Sequence, residues 1–91
     1  MATTLKMDKN DALIVKESLE LDRNIMKLSL LEYRKKLKDF EKKHKMTTKA
    51  FLQKFNSGIL GDDSEWFDWL FASKACEHVK DRLHRISSIV R

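Results

Sequence analysis

Four acids, Asp62, Asp63, Glu65 and Asp68, fall within seven residues, and the chain carries three histidines, His44, His78 and His84, and one cysteine, Cys76. Groups of these types could hold a metal or share acid–base work. A calcium loop needs oxygens at alternating positions, a central glycine and a closing glutamate, and the acidic segment does not follow that order. Zinc asks for paired Cys or His at short spacing, whereas His78 and His84 are six apart and point to different faces of a helix. A nucleophilic thiol needs a cationic or helix-terminal setting, while Cys76 falls inside an apolar helical seam and reads as a small buried hydrophobe. No Gly-rich phosphate loop, nucleophile elbow or paired-carboxylate cleft is visible. The acids have a plainer use. Asp62-Asp63-Ser64-Glu65 opens a helix, Asp62 and Glu65 have capping-box spacing, and acids at that end favour the helix dipole. The expectation is a chain that is not an enzyme and holds no cofactor or metal.

The basic residues are the second group with chemistry to offer. The net charge is +5, but residues 32–56 carry +6 and residues 57–69 carry −4. Within Arg34 to Lys54, the residues Arg34, Lys35, Lys38, Lys42 and Lys45 are candidates for contact with nucleic-acid phosphates. The same residues also serve as a solvated helix face, and lysines near a helix C-terminus complement its partial negative charge. Neither the stacking platform of an RNA-binding sheet nor the basic recognition helix of a helix-turn-helix is present, so phosphate attraction is expected and base readout is not.

The elements that position these groups are helical throughout. Proline is absent, glycine occurs twice and charged residues make up 36% of 91 residues, a composition for long helices in one all-α domain covering residues 1–91. Residues 1–8 carry no periodicity and are expected to be disordered or extended up to a cap at Asp8 or Asn10. Helix 1 is predicted over about 10–45. Met26, Leu30, Tyr33, Leu37 and Phe40 recur in it at spacings of 4, 3, 4 and 3, a heptad seam, with Asp22-Arg23-Asn24 as a possible break. Helix 2, about 48–57, follows a cap at Thr47 or Thr48 and ends at Gly58. Ile59 and Leu60, between Gly58 and Gly61, are expected to plug the turn. Helix 3, about 63–89, carries Trp69, Ala72, Cys76, Val79, Leu83, Ile86 and Val90 at alternating spacings of 3 and 4. These make a long helical hairpin with coiled-coil-like seams, Met26–Phe40 facing Trp69–Ile86 antiparallel.

The connecting segment, Phe51-Leu-Gln-Lys-Phe-Asn-Ser-Gly58-Ile-Leu-Gly61-Asp-Asp-Ser-Glu-Trp-Phe-Asp-Trp69, resembles the F..F.SG.LGDD.E.W core of small prokaryotic and especially archaeal helical proteins, some of them antitoxin-like. It covers about a fifth of the chain. The resemblance implies an accessory protein that works by binding another chain, a toxin for instance. Antitoxins of this sort usually keep a DNA-binding or disordered arm, whereas residues 1–45 here read as ordered helix, and no functional residue is carried over.

A protein–protein interaction module, antitoxin-like or an adaptor, is therefore the expected function, with a small basic nucleic-acid-binding protein as the alternative. Helix 1 is apolar on adjoining stripes, Ile14, Leu21, Ile25 and Leu28 beside Val15, Leu19 and Met26, and the shorter helix 3 can cover only part of it. A homodimer through residues 12–28 is expected, with the same surface open to a partner protein. Trp66 or Phe67 is a candidate exposed aromatic anchor, with packing under helix 2 and the Ile59–Leu60 plug as the equal alternative. The one cysteine, the N-terminus without a secretory pattern and apolar runs of at most four residues point to a cytoplasmic chain that does not enter a membrane.

Overall fold

A computed structural model describes the backbone of residues 8–90; the expectation for residues 1–7 lies outside them. Among the described residues there are three helices and no strand: α1 (Lys9–His44), α2 (Thr48–Asn56) and α3 (Ser64–Val90). Asp8, extended, caps α1 by accepting the Asp11 N–H at 2.8 Å. α1 then runs 36 residues without a break, so Asp22–Asn24 is not a hinge; Asp22 instead pairs with Arg82 of α3 at 2.9 Å. At about 1.5 Å per residue its length is roughly 54 Å, in line with the 56 Å long axis of the molecule.

The end of α1 is made without glycine. Lys45 takes the left-handed conformation, φ 53°, and both its N–H and that of Met46 return to the Glu41 carbonyl. This closes the last carbonyls as a glycine would, against the crowding that a side chain brings to that conformation. Two residues later α2 begins, its first turn held by Thr47, which accepts the Ala50 N–H at 3.1 Å, and by the Glu41 carboxylate, which accepts the Thr48 N–H at 2.7 Å.

The return to α3 passes through two left-handed glycines, Gly58 at φ 74° and Gly61 at φ 78°. The expected plug does not form between them, because Ile59 is 69% exposed. Only Leu60 is partly covered, and its carbonyl accepts the Trp66 indole N–H at 3.0 Å. α3 is capped by Asp63, which accepts the Glu65 N–H at 3.0 Å, so Asp62 and Glu65 do not form the expected capping box.

α1 and α3 pack antiparallel along the expected seams. Leu30, Cys76 and Val79 form a buried cluster flanked by Met26, Tyr33, Leu37 and Leu83, and towards the closed end Phe40 stacks on Trp69 with centroids 5.5 Å apart. Spacings averaging 3.5 residues keep both apolar rows on the shared face.

The two glycines and Lys45 make opposite demands. Gly58→Val and Gly61→Val should each lower stability by roughly 1–2 kcal/mol, from backbone strain alone, since a Cβ at either meets nothing within 4 Å. Ser64→Val should change it by less than about 0.5 kcal/mol. Lys45→Gly should raise stability by up to about 1 kcal/mol. Urea unfolding followed by circular dichroism measures all four, and equal small effects would refute left-handed turns at these positions.

Candidate functional site

Three groups of side chains are concentrated enough to act as sites. At the closed end of the hairpin, Lys43 and His44 in the last turn of α1 meet Glu65 in the first turn of α3. Lys43 Nζ lies 2.9 Å from Glu65 Oε1, and His44 Nε2 lies 3.1 Å from the same oxygen. The His44 ring also packs on Trp66 and Trp69, with centroids 4.6 and 5.4 Å away. These residues sit where they do because the Met26–Phe40 seam, continued by one more step of four, reaches His44. Hydrogen bonds from Lys43 first and His44 second hold the Glu65 carboxyl below the ordinary carboxylate value by favouring its charged form. The arrangement joins a helix C-terminus carrying cations to a helix N-terminus carrying an acid, a favourable pairing for both dipoles. Chemically it is a clamp: Lys43 Nζ and His44 Nε2 both bind the Glu65 carboxylate, and the rings beside it are packed.

The second group is the basic ridge. Arg34, Lys35, Lys38, Lys42 and Lys45 are all exposed along one side of α1, with Arg34 and Lys38 at its edge towards α2 and α3. The structure brings these five together, interrupted on the same side by the exposed Leu31.

The third group is the apolar stripe of α1. Ile14, Leu21, Ile25 and Leu28 are 61%, 62%, 48% and 63% exposed, on one side of the helix. Val15 is also largely exposed, while Leu19 and Met26 are half-buried under α3. Register explains the contrast. From Arg82 to Val90 is eight residues, which counts back from Asp22 to Ile14, so the first turn of α1 extends past the last described turn of α3. Leu13, Ile14 and Val15, spread around the helix, are exposed together at that end.

The two aromatic anchors separate. Phe67 is 52% exposed, with an edge against Phe55 at 5.7 Å. Trp66 is not the exposed anchor and takes the alternative: it is partly buried, tilted against Phe51 of α2 and Trp69, and its indole N–H is bonded. A sequence alone gives the spacing of four crowded aromatics but not which of them α2 will cover. Phe71, 67% exposed beside a shallow cleft lined by Tyr33, Lys36 and Phe40, is the aromatic left most open. Among the described residues no three of the Asp, Glu, His and Cys side chains come together as a metal site, and no helix is long and apolar enough to cross a membrane.

No protein-family model, no curated protein and no solved structure matches the chain.

The clamp has a consequence in acid. A carboxylate whose pKa is lowered on folding stabilises the fold fully above its unfolded value, near 4.5, and loses that contribution as the pH falls through the lower folded value. Unfolding midpoints in urea should therefore drop more steeply below pH 4.5 in the wild type than in Glu65→Gln, which cannot titrate there. Parallel curves would show that the clamp carries no linked stability.

Proposed function

We propose that the chain is a non-enzymatic helical interaction module, adaptor or antitoxin-like in kind, and that the surface it works with is the apolar stripe of α1, covered first by a second copy of the chain. The observation that carries this reading is the exposure of Ile14, Leu21, Ile25 and Leu28 on one side of a helix whose other side is already packed. Four large aliphatic side chains in a row, each worth roughly 1.5–3 kcal/mol when fully buried, favour association.

The shape of the molecule supports the same reading. Its radius of gyration is 18.4 Å, against about 12 Å for a compact domain of this length. Its accessible surface is 7462 Å², where a compact monomer of 10.8 kDa would expose about 5,500 Å². The surplus exceeds the roughly 800 Å² that one partner contributes to a standard interface. A two-fold dimer uses one patch on both copies, and the 7-4-3 spacing of the stripe is that of a second coiled-coil seam on α1.

Ile25→Asp tests the reading, because Ile25 is about half exposed and lies outside the α1–α3 core, so the hairpin should survive the change. Light scattering on the wild type at tens of micromolar should give twice the monomer mass, and the variant the monomer mass with the same helical circular dichroism. A wild type that stays monomeric at that concentration refutes the dimer.

A further inference from the structure

α2 crosses one flank of the hairpin and closes, with α1 and α3, a groove of about 510 Å³. Its floor is apolar, made by half-buried Leu37 and Leu52 and by buried Cys76, with buried Ser73 beside them. The small side chains of Ser73 and Cys76 give it depth opposite the leucines. Its rim is cationic: Arg34 and Lys38 from α1 and Lys49 from α2 are all exposed, and among the described residues none of the three forms an ion pair. Two acids, Glu41 and Glu77, and a further lysine, Lys80, also line the groove. Glu41 accepts the Thr48 N–H at 2.7 Å, and Glu77 pairs with Lys80 at 3.5 Å. The lining therefore holds four cations, Arg34, Lys38, Lys49 and Lys80, against Glu41 and Glu77, and this excess of positive charge sets the sign of the field over the opening.

A concave apolar floor beneath a cationic rim is complementary to an apolar side chain flanked by carboxylates. We infer that this groove docks an acidic amphipathic peptide segment of a partner protein, its apolar side chains against Leu37, Leu52 and Cys76 and its carboxylates against Arg34, Lys38 and Lys49. A single-stranded nucleic acid would satisfy the rim but not the floor, because bases are held by stacking on aromatic rings and no aromatic side chain lines this groove. The groove is also distinct from the α1 stripe. Arg34 follows Leu21, and Lys38 follows Ile25, by thirteen residues, which at about 100° per residue is roughly 140° around the helix. Occupation of one surface leaves the other open, so the groove stands whether or not the chain dimerises.

The test is fluorescence anisotropy with the full chain and four labelled probes: a short helical peptide with leucines along one face and glutamates elsewhere, its lysine-for-glutamate and alanine-for-leucine counterparts, and a single-stranded oligonucleotide. The glutamate–leucine peptide should bind, the lysine version should not, and loss of the leucines should weaken binding by about tenfold or more. Arg34→Glu combined with Lys38→Glu should also weaken it by about tenfold or more, and Lys49→Glu, from a different helix, should act in the same direction. Lys27→Glu combined with Lys35→Glu makes the same change in net charge outside the groove and should weaken binding by less than about threefold. Circular dichroism melts establish that the variants are folded. Equal weakening by the two double variants, indifference to the leucines, or binding of the oligonucleotide with none of the peptide would overturn the assignment.

Discussion

Phe51 and Trp69 lie face to face, ring centroids 4.1 Å apart and 2° from parallel, and both are completely buried. The geometry of the closed end depends on this stack. Phe51 is the only buried residue that α2 contributes, and without it a nine-residue helix would have little to hold it, since isolated helices of that length are marginal in water. Trp69 meets the α1 rings Phe40 and His44 as well, and its indole N–H donates to the Thr48 hydroxyl at 3.1 Å. One indole thus touches all three helices. Large rings give much buried area for few rotatable bonds, which suits a small domain with a thin core. Away from this layer the packing is carried by smaller or only partly covered side chains, Leu30, Cys76, Val79 and Ile86, and by the exposed Asp22–Arg82 pair.

Charge follows the same layout. The segment at +6 ends α1 and fills α2, the segment at −4 begins α3, and the hairpin sets the two side by side. Lys43 is paired there with Glu65, while among the described residues Arg34, Lys35, Lys38, Lys42 and Lys45 form no ion pair. The basic ridge and the cationic rim of the groove are what remains after the helix ends have been matched. Part of the basic cluster is therefore explained by stability at the α1 C-terminus, and Arg34, Lys38 and Lys49 adjoin the apolar floor of the groove under α2.

The hairpin was legible because two long seams with a 3.5-residue period can be read from one dimension: each position needs only its neighbours three and four residues away. Helix ends were legible to within a residue where a capping side chain marks them, as at Asp8 and Thr47. The misreadings share a cause, which is that several local solutions compete and tertiary contacts choose among them. Asp62 and Asp63 can both cap α3, and Glu65 leaves the capping box because Lys43 and His44 offer it two hydrogen-bond partners. Lys45 adopts a conformation that glycine normally fills, so no residue type announces it. Trp66 turns inward because Phe51 arrives from α2, and Ile59 turns outward because nothing does. The groove was invisible for the same reason, since Lys38, Lys49 and Cys76 belong to three different helices. The α1 stripe, by contrast, lies on one helix.

The fold is consequently unequal along its length. At the closed end three helices converge on an aromatic layer, two capped helix starts and an ion-paired clamp; at the open end α1 continues past the last described turn of α3 with apolar side chains in water. Local opening free energy is lowest where buried apolar contacts are fewest, so the first turns of α1 form the most easily opened part of the described structure. The proposed partner surface begins in that part, at Ile14, and runs on to Leu28. Anything that binds the folded stripe and not the unfolded chain stabilises the fold by mass action, and it does so at the end where the intramolecular packing is weakest. A partner on the stripe would then act on the cooperativity of the whole hairpin, while a ligand in the groove, which lies beside the aromatic layer, would meet a surface already held in shape.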